Sequence, residues 1–143
     1  MICYFDTSAL VTLLIAEPAS AAGRRLWDDA DEVVTVRLTY VEAAAAVAQA
    51  RRLGRLTPVR ERAVLRALDR LWTEIDVIEV DDVLVRRAAE LDRLQALRGY
   101  DAVHCAAAEQ LADDDLVVAS GDRELLRACR ALGISIADVN PSS

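Results

Sequence analysis

The run Met1-Ile2-Cys3-Tyr4-Phe5-Asp6-Thr7-Ser8-Ala9-Leu10 decides the fold. An apolar stretch ends on an acid, two hydroxyl residues follow, and a second apolar stretch continues through Val11-Thr12-Leu13-Leu14. Because Ile2 to Phe5 is continuously apolar rather than alternating, it suits a strand covered on both faces. Thr7-Ser8 then reads as the start of a helix over Ala9 to Leu14. Ligands of open α/β sheets bind just beyond the carboxyl ends of the strands, so an acid delivered to that position is a site candidate. Asp6 is the first.

Outward from this strand, apolar strands and helices keep alternating. Glu17-Pro18-Ala19-Ser20 breaks the pattern, and Ala21 to Asp29 reads as a short helix anchored by Leu26 and Trp27. Val33 to Val36 is a second strand, and Thr39-Tyr40-Val41-Glu42 opens a long helix that Gly54 stops near Leu53. Thr57-Pro58 starts another, in which Val59, Ala63, Val64, Ala67, Leu68, Leu71 and Trp72 recur at helical spacing. These two helices pair as a hairpin. Ile75 to Val80 predicts a third strand and Asp82 to Leu97 a helix; Gly99-Tyr100-Asp101 interrupts before an Ala-rich helix from Ala102 to Leu111. Leu116 to Ala119 predicts a fourth strand, Asp122 opens a helix through Cys129, and Ile134 to Val139 closes the series ahead of the tail Asn140-Pro141-Ser142-Ser143. Strands separated throughout by helices indicate an α/β fold: a mainly parallel sheet, helices on both faces, right-handed crossovers.

The totals agree with one domain. A chain of 143 residues buries roughly 70% of its unfolded surface and needs no disulfide or metal staple to fold. The apolar stretches fall far short of the ~20 residues that span a bilayer, and the N-terminal run has no basic flank and is broken by Asp6, so a soluble, intracellular protein is expected. The three cysteines, Cys3, Cys105 and Cys129, are widely spaced in apolar surroundings, which indicates buried thiols rather than a disulfide framework or zinc site. A net charge of −7 argues against bulk attraction to nucleic acid. Yet all 17 basic residues are arginine and several cluster between Arg51 and Arg70, so local patches suited to phosphate remain.

Four acids share one grammar: Asp6, Glu42, Asp101 and Asp122 each stand close to a helix start. Each also has a purely structural reading. Asp6, Asp101 and Asp122 suit N-caps, and Thr39-x-x-Glu42 fits a capping box. As a set they point further, because acids at the ends of the first and fourth strands lie at one edge of a parallel sheet, and helices starting there bring in the others. Two unit charges ~4 Å apart repel by about 4 kcal/mol at an effective dielectric of 20, so such a cluster calls for protons or a hard divalent cation, Mg²⁺ or Mn²⁺. His104, the only histidine, follows Asp101 by one turn but reads as a packed polar residue of a buried helix rather than a ligand.

Asp6-Thr7-Ser8-Ala9-Leu10 after the opening strand, Glu42 early in the long helix, Asp101-Ala102-Val103-His104 with its Ala-rich continuation, and Ser120-Gly121-Asp122 after the fourth strand follow one another in a specific order and spacing. In these the chain resembles a PIN-domain ribonuclease of the VapC toxin type over nearly its whole length. That family commonly has Thr-x-Asp at the last position, where this chain has Ser120. The resemblance implies a five-stranded parallel sheet in one PIN domain over residues 1–139, with 140–143 as a tail. It further implies Mg²⁺-dependent endonucleolytic cleavage of RNA, homodimerisation, inhibition by a cognate VapB-type antitoxin, and a cytoplasmic location.

On this reading Asp6 and Asp101 hold the metal directly, and Glu42 and Asp122 complete the acidic pocket through water or a second ion. Ser8 and Ser120 support the carboxylates. Arg51, Arg52 and Arg55 near the end of the long helix, with Arg98 and Arg123 beside two of the acids, are the candidates to meet RNA phosphates or the antitoxin. Aromatic residues make up only 4% of the chain, which leaves few bases to be read by stacking. A phosphotransfer or receiver domain fits poorly, since no second acid follows two residues after Asp6 and the chain has no lysine for a phosphate clamp. A non-catalytic PIN-like binding module, with the acids as caps, is the other alternative.

Overall fold

The computed structural model describes residues 1–112 and 115–142. Its elements run β1 (Ile2–Phe5), α1 (Thr7–Val11), α2 (Ser20–Asp29), β2 (Glu32–Val36), α3 (Thr39–Arg52), α4 (Pro58–Trp72), β3 (Asp76–Ile78), α5 (Asp82–Gln95), α6 (Gly99–Gln110), β4 (Leu116–Ser120), α7 (Arg123–Ala131) and β5 (Ser135–Asp138). The strands make one sheet in the order β3-β2-β1-β4-β5, and every pairing is parallel. The opening run is therefore the central strand. Its alternate side chains feed two cores: Tyr4 packs with α5, α6 and α7 residues such as Leu84, Ala106 and Leu125, while Cys3 and Phe5 pack with Leu10, Ala43 and Leu68 from the opposite helices. A continuous apolar run is what a strand buried on both faces requires.

Small side chains set the layer spacing. Cys105, Ala106, Ala107 and Ala108 of α6 are wholly buried, so this helix lies close against its neighbours. Arg87 of α5 clasps α6 through a two-pronged contact with Glu109, at 2.7 and 2.8 Å. The three cysteines are free and buried, in agreement with their apolar settings. Among the described residues no helix is long and apolar enough to cross a membrane.

Several details differ from the sequence expectations. The first helix stops at Val11 rather than near Leu14: the Thr12 hydroxyl donates to the Ala9 carbonyl at 2.6 Å, and the chain continues in tight turns. The third strand is only Asp76–Ile78, and Val80 is left exposed. The Ala-rich helix begins at Gly99, so the interruption expected at Gly99-Tyr100-Asp101 is its first turn. Asn140, assigned to a tail, is tied down through its side-chain amide to the Gly121 carbonyl at 2.9 Å, whereas Ser143 lies outside the described residues.

Candidate active site

The register of the central strands builds the site. Phe5 pairs with Ala119, which places the next residues, Asp6 and Ser120, side by side at the carboxyl edge. Asp6 is almost fully buried, and among the described residues its carboxylate accepts from Ser8, Ala9 and Ser120, all at this edge. Its Oδ1 accepts from the Ala9 amide at 2.9 Å, capping α1, and from the Ser8 hydroxyl at 2.7 Å. Its Oδ2 accepts from Ser120 at 2.6 Å. The serines are themselves fixed: Ser8 Oγ accepts from the Gly121 amide and Ser120 Oγ from the Asp122 amide, each at 2.8 Å. A Cβ at Gly121 would stand 3.3 Å from Asn140 Oδ1 and 3.6 Å from Ser8 Oγ, so the loop runs close to both side chains there. Ser8 and Ser120 thus hold the Asp6 carboxylate. Burial pushes the Asp6 pKa up, and these donors oppose the shift without cancelling it.

Glu42 sits in the first turn of α3 without the expected capping box. Leu38 occupies the cap position with no side-chain bond, and Thr39 is buried, its hydroxyl 2.7 Å from that of Thr35, which in turn donates to the Phe5 carbonyl at 2.6 Å. Thr39 serves the core, so the Glu42 side chain is released to the site. Its Oε1 accepts from Thr7 Oγ1 at 2.7 Å and lies 2.8 Å from His104 Nε2. The histidine, expected only as a packed core residue, is packed and also in the site: it is 3% exposed, and its Nδ1 is 2.8 Å from the Tyr4 hydroxyl. Burial works to raise the Glu42 pKa, but His104 and Thr7 outweigh it and hold the carboxyl below the ordinary range.

Asp101 and Asp122 face each other across the same opening. Asp122 caps α7, accepting from the Glu124 and Leu125 amides at 2.9 and 3.1 Å. Asp101 is not a cap, because Arg98 holds that position and Asp101 lies within the first turn of α6. Burial, then the neighbouring Asp122 carboxylate, push the Asp101 pKa up to about 6.

All four acids line one open cavity of about 380 Å³ together with Thr7, Ser8 and His104. Glu17 joins them, a fifth carboxylate that the sequence showed only as part of a helix break. The cavity lining contains none of the arginines singled out above. Arg52 bonds Gln49 within α3, Arg98 precedes α6, and Arg123 opens α7 next to Asp122.

Among the described residues no three Asp, Glu, His or Cys side chains close into a ready-made metal cage. The donor set nevertheless fits a hard divalent ion. Burial and then the facing Asp122 carboxylate raise the Asp101 pKa, and a cation between the two relieves their repulsion. Glu42 Oε2 has no protein donor among the described residues. Oxygen donors without thiolates suit Mg²⁺ or Mn²⁺ rather than softer metals.

An all-parallel sheet between two helical layers, with a carboxylate-lined pocket at the strand carboxyl ends, places the chain among α/β proteins of the doubly wound kind. The PIN domain family model matches residues 3–131. Ribonuclease VapC45 of Mycobacterium tuberculosis (strain CDC 1551 / Oshkosh) is 39% identical over 134 residues, covering 94% of this chain and 93% of that protein. The chain belongs to the PIN-domain family, in its VapC ribonuclease branch. Among solved structures, PAE2754 from Pyrobaculum aerophilum superposes with a TM-score of 0.72 at 26% identity, over 97% of this chain and 84% of that one. A toxin-antitoxin complex from Klebsiella pneumoniae gives a TM-score of 0.65 at 15% identity, over 98% and 99%, a likeness of fold.

Proposed function

We propose that this protein is a Mg²⁺-dependent endoribonuclease, the toxin of a toxin–antitoxin pair, that cleaves RNA at the pocket formed by Asp6, Glu42, Asp101 and Asp122. The observation that carries the proposal is the convergence of these acids, from four separate elements, on one open cavity at the carboxyl edge of the sheet. The ribonuclease name of the VapC45 relative supports the same reaction.

When bound, Mg²⁺, or Mn²⁺ in its place, supplies the neutralising charge for the phosphoryl oxygens and lowers the pKa of a water for in-line attack. The residues supply the rest. Asp6 and Asp101 are the direct ligands. Asp122, fixed by its capping bonds, adds the second charge of the facing pair, and Glu42 offers Oε2 to a water or a second ion. Ser8 and Ser120 keep Asp6 from rotating. Arg51, Arg52, Arg55, Arg98 and Arg123 meet RNA phosphates or the antitoxin; such contacts position a substrate without reading its sequence.

A homodimer and a VapB-type antitoxin complete the proposal, and the likeness to a toxin-antitoxin complex supports it. Val83, Leu94 and Tyr100 on and beside α5 are well exposed and offer apolar surface for such association. Cytoplasmic action fits this reading.

The non-catalytic module draws on one observation, that Asp6 and Asp122 do cap helices. Asp6→Asn separates the two. Incubated with a labelled RNA pool and Mg²⁺, free of co-purifying partner, the wild type is expected to yield discrete fragments and Asp6→Asn none, with its circular dichroism intact. Equal turnover by the variant contradicts the assignment.

A further inference from the structure

The chain has a single histidine, and it is buried between a tyrosine and a site glutamate, with a polar partner on each ring nitrogen. Tyr4 is wholly buried on the central strand, and burial, then the Asp6 charge, push its pKa well above 10, so the phenol keeps its proton. That proton needs an acceptor. His104 Nδ1 stands 2.8 Å from the hydroxyl, and Thr35, whose hydroxyl also meets Phe5 and Thr39, is a second hydrogen-bond partner of the phenol. If Nδ1 accepts, the ring proton belongs to Nε2, which points at Glu42 Oε1 at 2.8 Å. If the ring carries both protons, the phenol turns to Thr35 and Nε2 again donates to Glu42. Only a proton on Nδ1 alone sets an imidazole lone pair against a carboxylate oxygen 2.8 Å away.

Both arrangements that pair every group have Nε2–H donating to Oε1, with the Thr7 hydroxyl giving Oε1 its second bond at 2.7 Å. Both donors fall on the same oxygen. Among the described residues Glu42 Oε2 receives none, and Glu42 lines the cavity. We propose that His104 is a positioning residue whose Nε2–H, with Tyr4 behind the ring and Thr7 beside it, fixes Oε1 of Glu42 and leaves Oε2 to the pocket. The functional half of this rests on the nuclease reading; the Nε2–H donor does not.

The single histidine makes the test direct. In untagged, EDTA-treated wild-type protein at neutral pH, long-range ¹H–¹⁵N correlation is expected to show Nε2 protonated. An unprotonated Nε2 overturns the proposal. Two substitutions then separate positioning from packing. His104→Asn keeps a polar group near Nδ1, for Tyr4, but withdraws the donor to Glu42; His104→Gln puts an amide nitrogen near Nε2 and restores it. With folding checked by circular dichroism, His104→Asn is expected to lose roughly 10- to 100-fold in kcat at nearly unchanged KM, the usual range for removing an orienting partner. His104→Gln is expected to lie closer to wild type than to His104→Asn. Wild-type kcat in His104→Asn, or equal losses in both variants, sinks the positioning role. If the wild type itself cleaves no RNA, the nuclease reading fails, and the spectrum still decides whether Nε2 carries the donor.

Discussion

Ser120, at the end of β4, donates its hydroxyl to Asp6, just past the end of β1, across 2.6 Å and 114 residues of chain. The same hydroxyl accepts the Asp122 amide at 2.8 Å. One oxygen therefore ties two acids of the pocket to one another and to the two central strands. Ser120→Ala is expected to cost about 1–3 kcal/mol in urea melts, because it leaves a buried carboxylate oxygen and an amide short of partners. Ser120→Thr, which keeps the hydroxyl, is expected to melt and cleave close to wild type. An unchanged midpoint for Ser120→Ala means that the hydroxyl holds nothing.

Asp101 and Asp122 repel across the pocket, so the site stores instability. Asp101→Asn is expected to raise stability at pH 8 in EDTA by on the order of 1 kcal/mol, after allowance for solvent screening, while abolishing cleavage. A variant less stable than wild type in a denaturant melt contradicts the facing-pair description.

The raised pKa of Asp101, about 6, fixes a pH window and its sign. Between the unfolded value of about 3.9 and about 6, the folded state binds more protons at this position than the unfolded one. Its contribution therefore falls as the pH rises through that window and is flat above it. Other carboxylates titrate too, so the measurement is the difference in unfolding free energy between wild type and Asp101→Asn at successive pH values without metal. That difference is expected to widen in favour of the variant from about pH 4 to about 6 and then level off. Because a proton competes for the same oxygens, Mg²⁺ binding to the wild type is expected to tighten across the same range. A difference that narrows with rising pH contradicts the assignment.

Behind the pocket, α2 packs on the turn after α1 through Gly23. A Cβ there would lie 2.0 Å from the Thr12 hydroxyl. Gly23→Ala is expected to destabilise by about 1–3 kcal/mol, against the helix preference for alanine. Adding Thr12→Ala is expected to recover part of the loss. The thermal midpoints of the two proteins check this.

The sheet was legible because β1, β2 and β4 are apolar runs punctuated by helix starts, and the acids because each stands at such a start. Their convergence followed from parallel topology alone. What the sequence obscured is instructive. Thr39 and Glu42 match a capping box, but Thr39 is drawn into the core by Thr35, a tertiary contact that local spacing cannot foresee. Glu17 lines the pocket from the stretch that follows the short α1, a placement that local spacing does not announce. His104 left a usable signal. It stands three residues after Asp101, on the same helix face, and Tyr4 stands two residues before Asp6, on the same strand face. Read together, those spacings bring a histidine and a tyrosine to the acids.

The central claim is that the four-acid pocket cleaves RNA with a divalent ion. Its most direct measurement takes wild-type protein stripped with EDTA and freed of partner, and follows cleavage of a labelled RNA pool as Mg²⁺ is returned, beside Asp101→Asn in parallel. Fragments that vanish with EDTA, return with Mg²⁺ in the wild type and never appear in the variant are the expected result. Cleavage that persists in EDTA, or that Asp101→Asn performs equally well, contradicts the claim and returns the acids to their role as helix caps.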